Sequence, residues 1–249
     1  MITNTTPDTW QHLQVEVARV LEECGFAVEI EKKTTTVRGD VELDVYAEEE
    51  IKGRRYSIIC ECKHWKARVP QNVVHGFRTT VADIGVNAGY VISMAGFQEG
   101  AYRAAEKTNT QLVTWVEFQN AFEKTWYEAF FYPQITARLD PLLTYAEPLF
   151  PRWFDQLTDE DQDRYIALNK KYQEFGWLMM SFTTYARHLR KDDEPKLPLI
   201  ERLPPNTTLR ETLPQELLNV ATPREFFNAA VEYGEHAIQL FRAIRDEEA

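Results

Sequence analysis

Between positions 10 and 24 the apolar residues fall at Trp10, Leu13, Val17, Val20 and Leu21. That three-to-four spacing puts a stripe along one side of an α-helix, with Asp8 placed to cap its start and Gly25 to end it. The period then shortens. Residues 26–30, 41–47 and 56–62 are short and rich in Val, Ile and Tyr, the composition of strands, and Lys52-Gly53 lies between the last two as a turn. After a loop around Val69-Pro70, residues 72–85 read as a helix, 88–93 as a buried strand, 98–108 as a helix and 112–116 as a last strand. This order predicts an α/β unit, a mixed sheet flanked by helices, ending near Glu117.

Beyond it the strand pattern stops. Residues 118–138, 160–189 and 224–246 are helix-like, separated by proline-bearing stretches at 140–141, 148–151 and 195–205. Thr222-Pro223-Arg224-Glu225 reads as a capping box with proline at the first helical position. The expected organisation is an α/β domain over 1–120 and an all-helical C-terminal domain over 121–249. The helical half carries Trp126, Tyr127, Phe130, Phe131, Trp153, Phe154, Tyr172, Phe175, Trp177, Phe226 and Phe227. At helical spacing such rings read as core first, and as a surface for bases or a partner second.

Composition adds limits. With 249 residues, 44% of them hydrophobic, the chain can bury a core. It has no run of the roughly 20 apolar residues a bilayer span needs, and no basic-then-apolar leader at its start, so the expectation is a cytoplasmic protein with no membrane partner. Cys24, Cys60 and Cys62 are odd in number and form no CxxC, which favours reduced thiols over a disulfide or zinc framework. His12, His64, His75, His188 and His236 show no HxxxH spacing. Net charge is -11, with 14 basic against 18 acidic residues in 1–124 and 14 against 21 in 125–249. An acidic chain binds nucleic acid only where its basic residues cluster. The candidates for phosphate contact are Lys66 and Arg68, in the run 63–68, with Arg54 and Arg78.

One segment carries chemistry: Gly39-Asp40-Val41-Glu42-Leu43-Asp44-Val45, a hairpin, then Ile58-Ile59-Cys60-Glu61-Cys62-Lys63. Side chains two apart on a strand share a face, so Glu61 and Lys63 project together while Cys60 and Cys62 point away. If the hairpin turns at Lys52-Gly53, Asp44 comes level with Glu61 on the adjacent strand. Two carboxylates are suitable ligands for Mg²⁺, and a lysine beside them can orient a water and screen a phosphate, the parts needed for phosphodiester hydrolysis. A Glu-x-Lys alone is the ordinary fate of charged residues on a half-solvated strand. Here the pair interrupts an apolar run beside Asp44, and burying such charges without use is costly.

The stretch GDVELDVYAE, a short hairpin and IICECKHWK together resemble the core of Mrr-like restriction endonucleases, a branch of the PD-(D/E)xK superfamily. The segment 74–82, the strand GYVISMAGF, the helix FQEGAYRAAEK and the strand QLVTWVEF continue the likeness, which covers about residues 8–120. The resemblance implies a restriction-endonuclease-like fold, with Asp44 as the metal-binding aspartate, Glu61 as the second acidic ligand, Lys63 as the catalytic lysine, and Mg²⁺ or Mn²⁺ as cofactor. Many members have Gln where this chain has Glu61. Family members often carry an acid on the first helix; by spacing from Gly25 that place is Gln14, and Glu16 lies about 200° around the helix from it. Accessory roles fall to Glu42 or Asp40 for a second ion and to Gln71 for contact with substrate or water, or else for helix capping.

The resulting expectation is an endonuclease cutting DNA in prokaryotic defence against foreign DNA, with a homodimer or a protein partner of the helical half as further possibilities. The alternatives are a catalytically silent nuclease-fold interaction module, and an effector activated by a partner or second messenger.

Overall fold

The computed structural model describes residues 1–147, 149–189 and 196–246; of the expected proline breaks, positions 148 and 195 lie outside them. The chain divides into two compact units, Met1 with Thr3–Ala129 and Ile2 with Phe130–Ala249. The division falls at 129/130, whereas the sequence places it at 120/121.

The first unit opens with α1 (Trp10–Glu23), then β1 (Ala27–Thr36), β2 (Gly39–Ile51) and β3 (Arg54–Lys63). There follow α2 (Gln71–Ile84), β4 (Ala88–Ser93), α3 (Glu99–Ala105), β5 (Thr110–Thr114) and α4 (Trp115–Trp126). The strands form one sheet in chain order, β1-β2-β3-β4-β5, antiparallel at β1–β2 and β2–β3 and parallel at β3–β4 and β4–β5. This is the expected mixed sheet, and it has the restriction-endonuclease-like fold.

Two local expectations change. Asp8 does not cap α1: Thr9 does, its side chain accepting from the His12 amide, while Asp8 accepts from the His12 ring at 2.8 Å. The fifth strand stops at Thr114, because Thr114 and Glu117 make a full capping box that starts α4 at Trp115.

One apolar layer joins Leu43, Ile59 and Val91 of the sheet to Val74, Phe77 and Val81 of α2 and Ala101 and Ala104 of α3. Each such side chain, taken wholly from water, contributes about 1.5–3 kcal/mol for Val, Leu, Ile or Phe. On the other face Tyr90 of β4 meets Phe118 and Phe122 of α4, with ring centroids 5.8 and 5.7 Å away. Gly89 in β4 allows close packing of α2, since a Cβ there would lie 2.5 Å from Val81 Cγ2 and 2.7 Å from Phe77 Cε1.

A single π-helical turn, Tyr127–Phe131, follows α4. The second unit contains α5 (Tyr132–Tyr145), α6 (Asp159–Met180), α7 (Thr184–Leu189), α8 (Thr208–Thr212), α9 (Gln215–Asn219) and α10 (Pro223–Asp246), and no strand among its described residues. Pro141 sits inside α5 rather than breaking it. As expected, Pro223 is the first residue of α10, with the Thr222 hydroxyl bonded to Glu225. The aromatic residues mostly form its core: Phe131, Phe154, Tyr172, Phe175, Phe226 and Phe227 are buried, while Trp177 is 54% exposed.

Candidate active site

The site begins with a turn. Lys52 and Gly53 have φ of +51° and +75°, the left-handed pair of a two-residue hairpin whose twist matches its strands. Because Ile51 and Arg54 close that turn, the register is fixed, and it runs through to Val45 opposite Cys60. One residue further along, Asp44 is level with Glu61.

At Asp44 the ladder changes. No β2–β3 pair follows Val45–Cys60. On the other side the Glu31–Asp44 rung is absent from β1–β2, and Glu31 has a φ of +53°. Val45 and Ala47 stand opposite Cys60 and Ile58, yet Val41 and Leu43, in step with them along the strand, pack in the layer of Ile59 and Phe77. β2 therefore turns over at Asp44, a bulge-like distortion of the kind that re-aims a side chain. The Asp44 carboxylate takes the vacated rung, its Oδ2 accepting the Cys62 backbone N–H at 2.7 Å.

Glu61 and Lys63 share the face of Ile59, half-buried, and the Lys63 ammonium donates directly to Glu61 Oε1. Burial pushes the Glu61 carboxyl above its usual value of 4.5; the hydrogen bond from Lys63 opposes this and the charge of Asp44 adds to it. Desolvation and Asp44 thus outweigh the lysine. Burial and the nearby carboxylates likewise raise the Cys62 thiol well above its usual range, so Cys62 is not a thiolate nucleophile.

The structure brings Asp44, Glu61 and Lys63 together and disperses several other candidates. Asp40 accepts from the Thr35 hydroxyl at 2.8 Å, and Glu42 is 3.5 Å from Lys33. Both line a cavity of about 600 Å³ along the β1–β2 hairpin, with Thr34 and Val41, on the part of β2 that has left β3. Gln71 is exposed at the first position of α2, where Pro70 is the cap residue. Its amide lies over Gly100, whose Cβ would meet Gln71 Oε1 at 2.6 Å. Gln14 is buried at 3% exposure and Glu16 at 7%, the latter 3.8 Å from Arg19. Among the described residues no group of three or more His, Cys, Asp and Glu is arranged for a metal.

The four basic candidates lie at separate places. Lys66 and Arg68 are exposed just beyond Lys63. Arg78 instead donates to the Ala104 carbonyl at 2.7 Å, closing the end of α3. Arg54 stands at the turn end of β3, seven residues and about 23 Å from Glu61 at strand rise. Sequence reasoning also left two features unassigned: the Cys62 amide, which has no side-chain signal, and Trp65, whose ring centre is 5.2 Å from the Lys63 ammonium.

A mixed five-stranded sheet that delivers an Asp and a Glu-x-Lys pair to one spot defines the class of restriction-endonuclease-like proteins. Residues 8–122 match the family Mrr_cat, described as restriction endonuclease, which is consistent with the Mrr-like branch of the PD-(D/E)xK superfamily over those residues. A crystal structure titled "Crystal Structure of Protein of Unknown Function AF1548" is similar over 67% of this chain and 99% of that one, at 18% identity and a TM-score of 0.39, too loose a likeness to argue from. No curated protein matches the chain. No helix among the described residues is long and apolar enough to cross a membrane.

Proposed function

We propose that this protein is a metal-dependent endonuclease that hydrolyses DNA phosphodiester bonds at Asp44, Glu61 and Lys63. The observation that carries the reading is the anchoring of Asp44 on the Cys62 amide next to the Glu61–Lys63 pair. Two carboxylates suit a hard divalent cation such as Mg²⁺ or Mn²⁺, which retains waters and takes up substrate phosphate. A cation held there would polarise the phosphoryl group and lower the pKa of a nearby water.

The protein's own part is pre-organisation. The Cys62 N–H fixes one Asp44 oxygen and leaves the other for ligation. Glu61, held by the Lys63 ammonium, would supply the second carboxylate to such a cation. Lys63, already directed by Glu61, sets its ammonium where it can orient the attacking water and offset phosphate charge. Lys66 and Arg68 are the basic residues placed to hold neighbouring phosphates. In this reading the protein works in the cytoplasm, in prokaryotic defence against foreign DNA. The helical unit serves recognition, assembly or control through a partner, and a homodimer supplies the two sites needed to cut both strands.

The test is incubation of the purified chain with plasmid and phage DNA over a series of Mg²⁺ and Mn²⁺ concentrations, beside Lys63→Ala. The expected outcome is cutting by the wild type alone, and undiminished cutting by the variant refutes the assignment. A second reading, a catalytically silent scaffold, draws on Gln14, which stands uncharged where relatives often place an acid. It requires that no Mg²⁺ or Mn²⁺ binding depend on Asp44 and Glu61, which calorimetric titration decides.

A further inference from the structure

The segment leaving β3 presents an aromatic ring among cations. Trp65 is 44% exposed, and the Lys63 ammonium sits over its ring at 5.2 Å, within the roughly 6 Å of a cation–π contact. The exposed Lys66 and Arg68 follow at once. The loop is pinned on both sides of the ring. His64 Nε2 is 3.1 Å from the Pro7 carbonyl. Val69 is bridged to Phe97, its amide donating to Gly96 O and its carbonyl accepting from Gln98 N, both at 3.0 Å. A large ring held rigidly with nearly half its surface in water is costly to leave unused, since its burial elsewhere would contribute to stability. Its neighbours are positive, which disfavours a cationic or purely apolar partner.

We infer that Trp65 is a stacking platform for an unpaired nucleobase beside the scissile phosphate, with Lys66 and Arg68 holding the adjoining backbone. The inference rests on the nuclease reading for the identity of the substrate, and it adds a binding preference to it: DNA with an unstacked nucleotide at the site, as in a single strand, a flap, a frayed end or a base drawn out of a duplex, is held more tightly than a closed duplex. Aromatic platforms flanked by basic residues bind single strands in this way because every base has a π-face. Within a closed duplex the bases are stacked on one another and offer Trp65 none.

The experiment measures binding rather than cleavage, so it stands whether or not hydrolysis occurs. Fluorescence anisotropy of a labelled oligothymidylate and of a blunt duplex of equal length is recorded in EDTA with the full chain, Trp65→Ala and Trp65→Tyr. Trp65→Ala is expected to weaken single-strand binding about 5- to 150-fold, the affinity equivalent of one stacked base. Duplex binding should change by less than about twofold, and Trp65→Tyr should restore most of the loss. Equal weakening of both DNAs, or none, overturns the inference and leaves the ring as a support for Lys63. The wild-type chain supplies an arm that needs no variant to fold: ultraviolet crosslinking to a bromodeoxyuridine strand should label Trp65, and labels confined to other residues also overturn it.

Discussion

Removing the Asp44 carboxylate should have two separable effects, because the group takes part in the backbone ladder and, in the proposed reading, offers an oxygen to a cation. Asp44→Ala strips the Cys62 amide of its acceptor at 2.7 Å in a residue that is 6% exposed. An unsatisfied buried donor costs about 1–3 kcal/mol, and for a domain of this size each kcal/mol lowers the melting temperature by about 3 °C. The variant should therefore melt roughly 3–10 °C below wild type. Asp44→Asn retains an amide oxygen for the same N–H and should stay within about 1 kcal/mol of wild type. Cleavage should fall by more than about 100-fold in both, since even outer-shell partners of a metal are worth 10- to 100-fold. Thermal unfolding followed by circular dichroism in EDTA, paired with plasmid cleavage in Mg²⁺, reads both effects. If Asp44→Ala melts with wild type, the ladder argument is wrong; if Asp44→Asn cuts at full rate, the ligand argument is wrong.

Three further outcomes are expected. Glu61 has its pKa raised in the fold, so its contribution to stability is present below the usual glutamate value of 4.5 and is lost as pH rises through the higher folded value. Glu61→Gln should remove that loss, making its stability advantage over the metal-free wild type grow from pH 4 to pH 8 in denaturant titrations, and a constant difference contradicts this. Gly89→Ala should destabilise by about 1–3 kcal/mol through overpacking against Val81 and Phe77, read as a lowered urea midpoint; an unchanged midpoint would mean that α2 yields freely. Gln14→Glu should lower the melting temperature in EDTA, because a carboxylate at a 3% exposed position is poorly solvated. Recovery on adding Mn²⁺ would show that α1 reaches the cation after all.

Much of this architecture is legible in residue order, and the reasons differ by element. The strand 88–93 is plain because its residues are buried and Tyr90-Val91-Ile92 at its centre are bulky, strand-favouring residues. The hairpin is plain because Lys52-Gly53 permits only a narrow set of turns. The meeting of Asp44 with Glu61 follows from that turn by counting. What residue order conceals is the reversal of β2 at Asp44: an alternating pattern looks the same whether or not the strand changes face, so Glu42 reads as a neighbour of Asp44 when its partner is Lys33. Thr114 and Glu117 form a recognisable capping box, but they follow a β-rich run, Leu112-Val113, whose propensity extends the expected strand over them. Arg54 and Arg78 show the limit of grouping charges by type. One stands at the far end of a strand and the other closes a helix, and only the fold reveals either commitment.

The Asp44 carboxylate that completes a rung of the sheet also constrains how such a protein could lose its activity over generations. In the proposed reading, a lineage released from the need to cut DNA can discard Glu61 and Lys63 together with little harm to folding, since neither half-buried charge is then left without its partner. Asp44 is harder to surrender, because whatever replaces it must still satisfy an amide. Silent descendants should therefore be recognised by an eroded Glu-x-Lys beside a retained aspartate or asparagine.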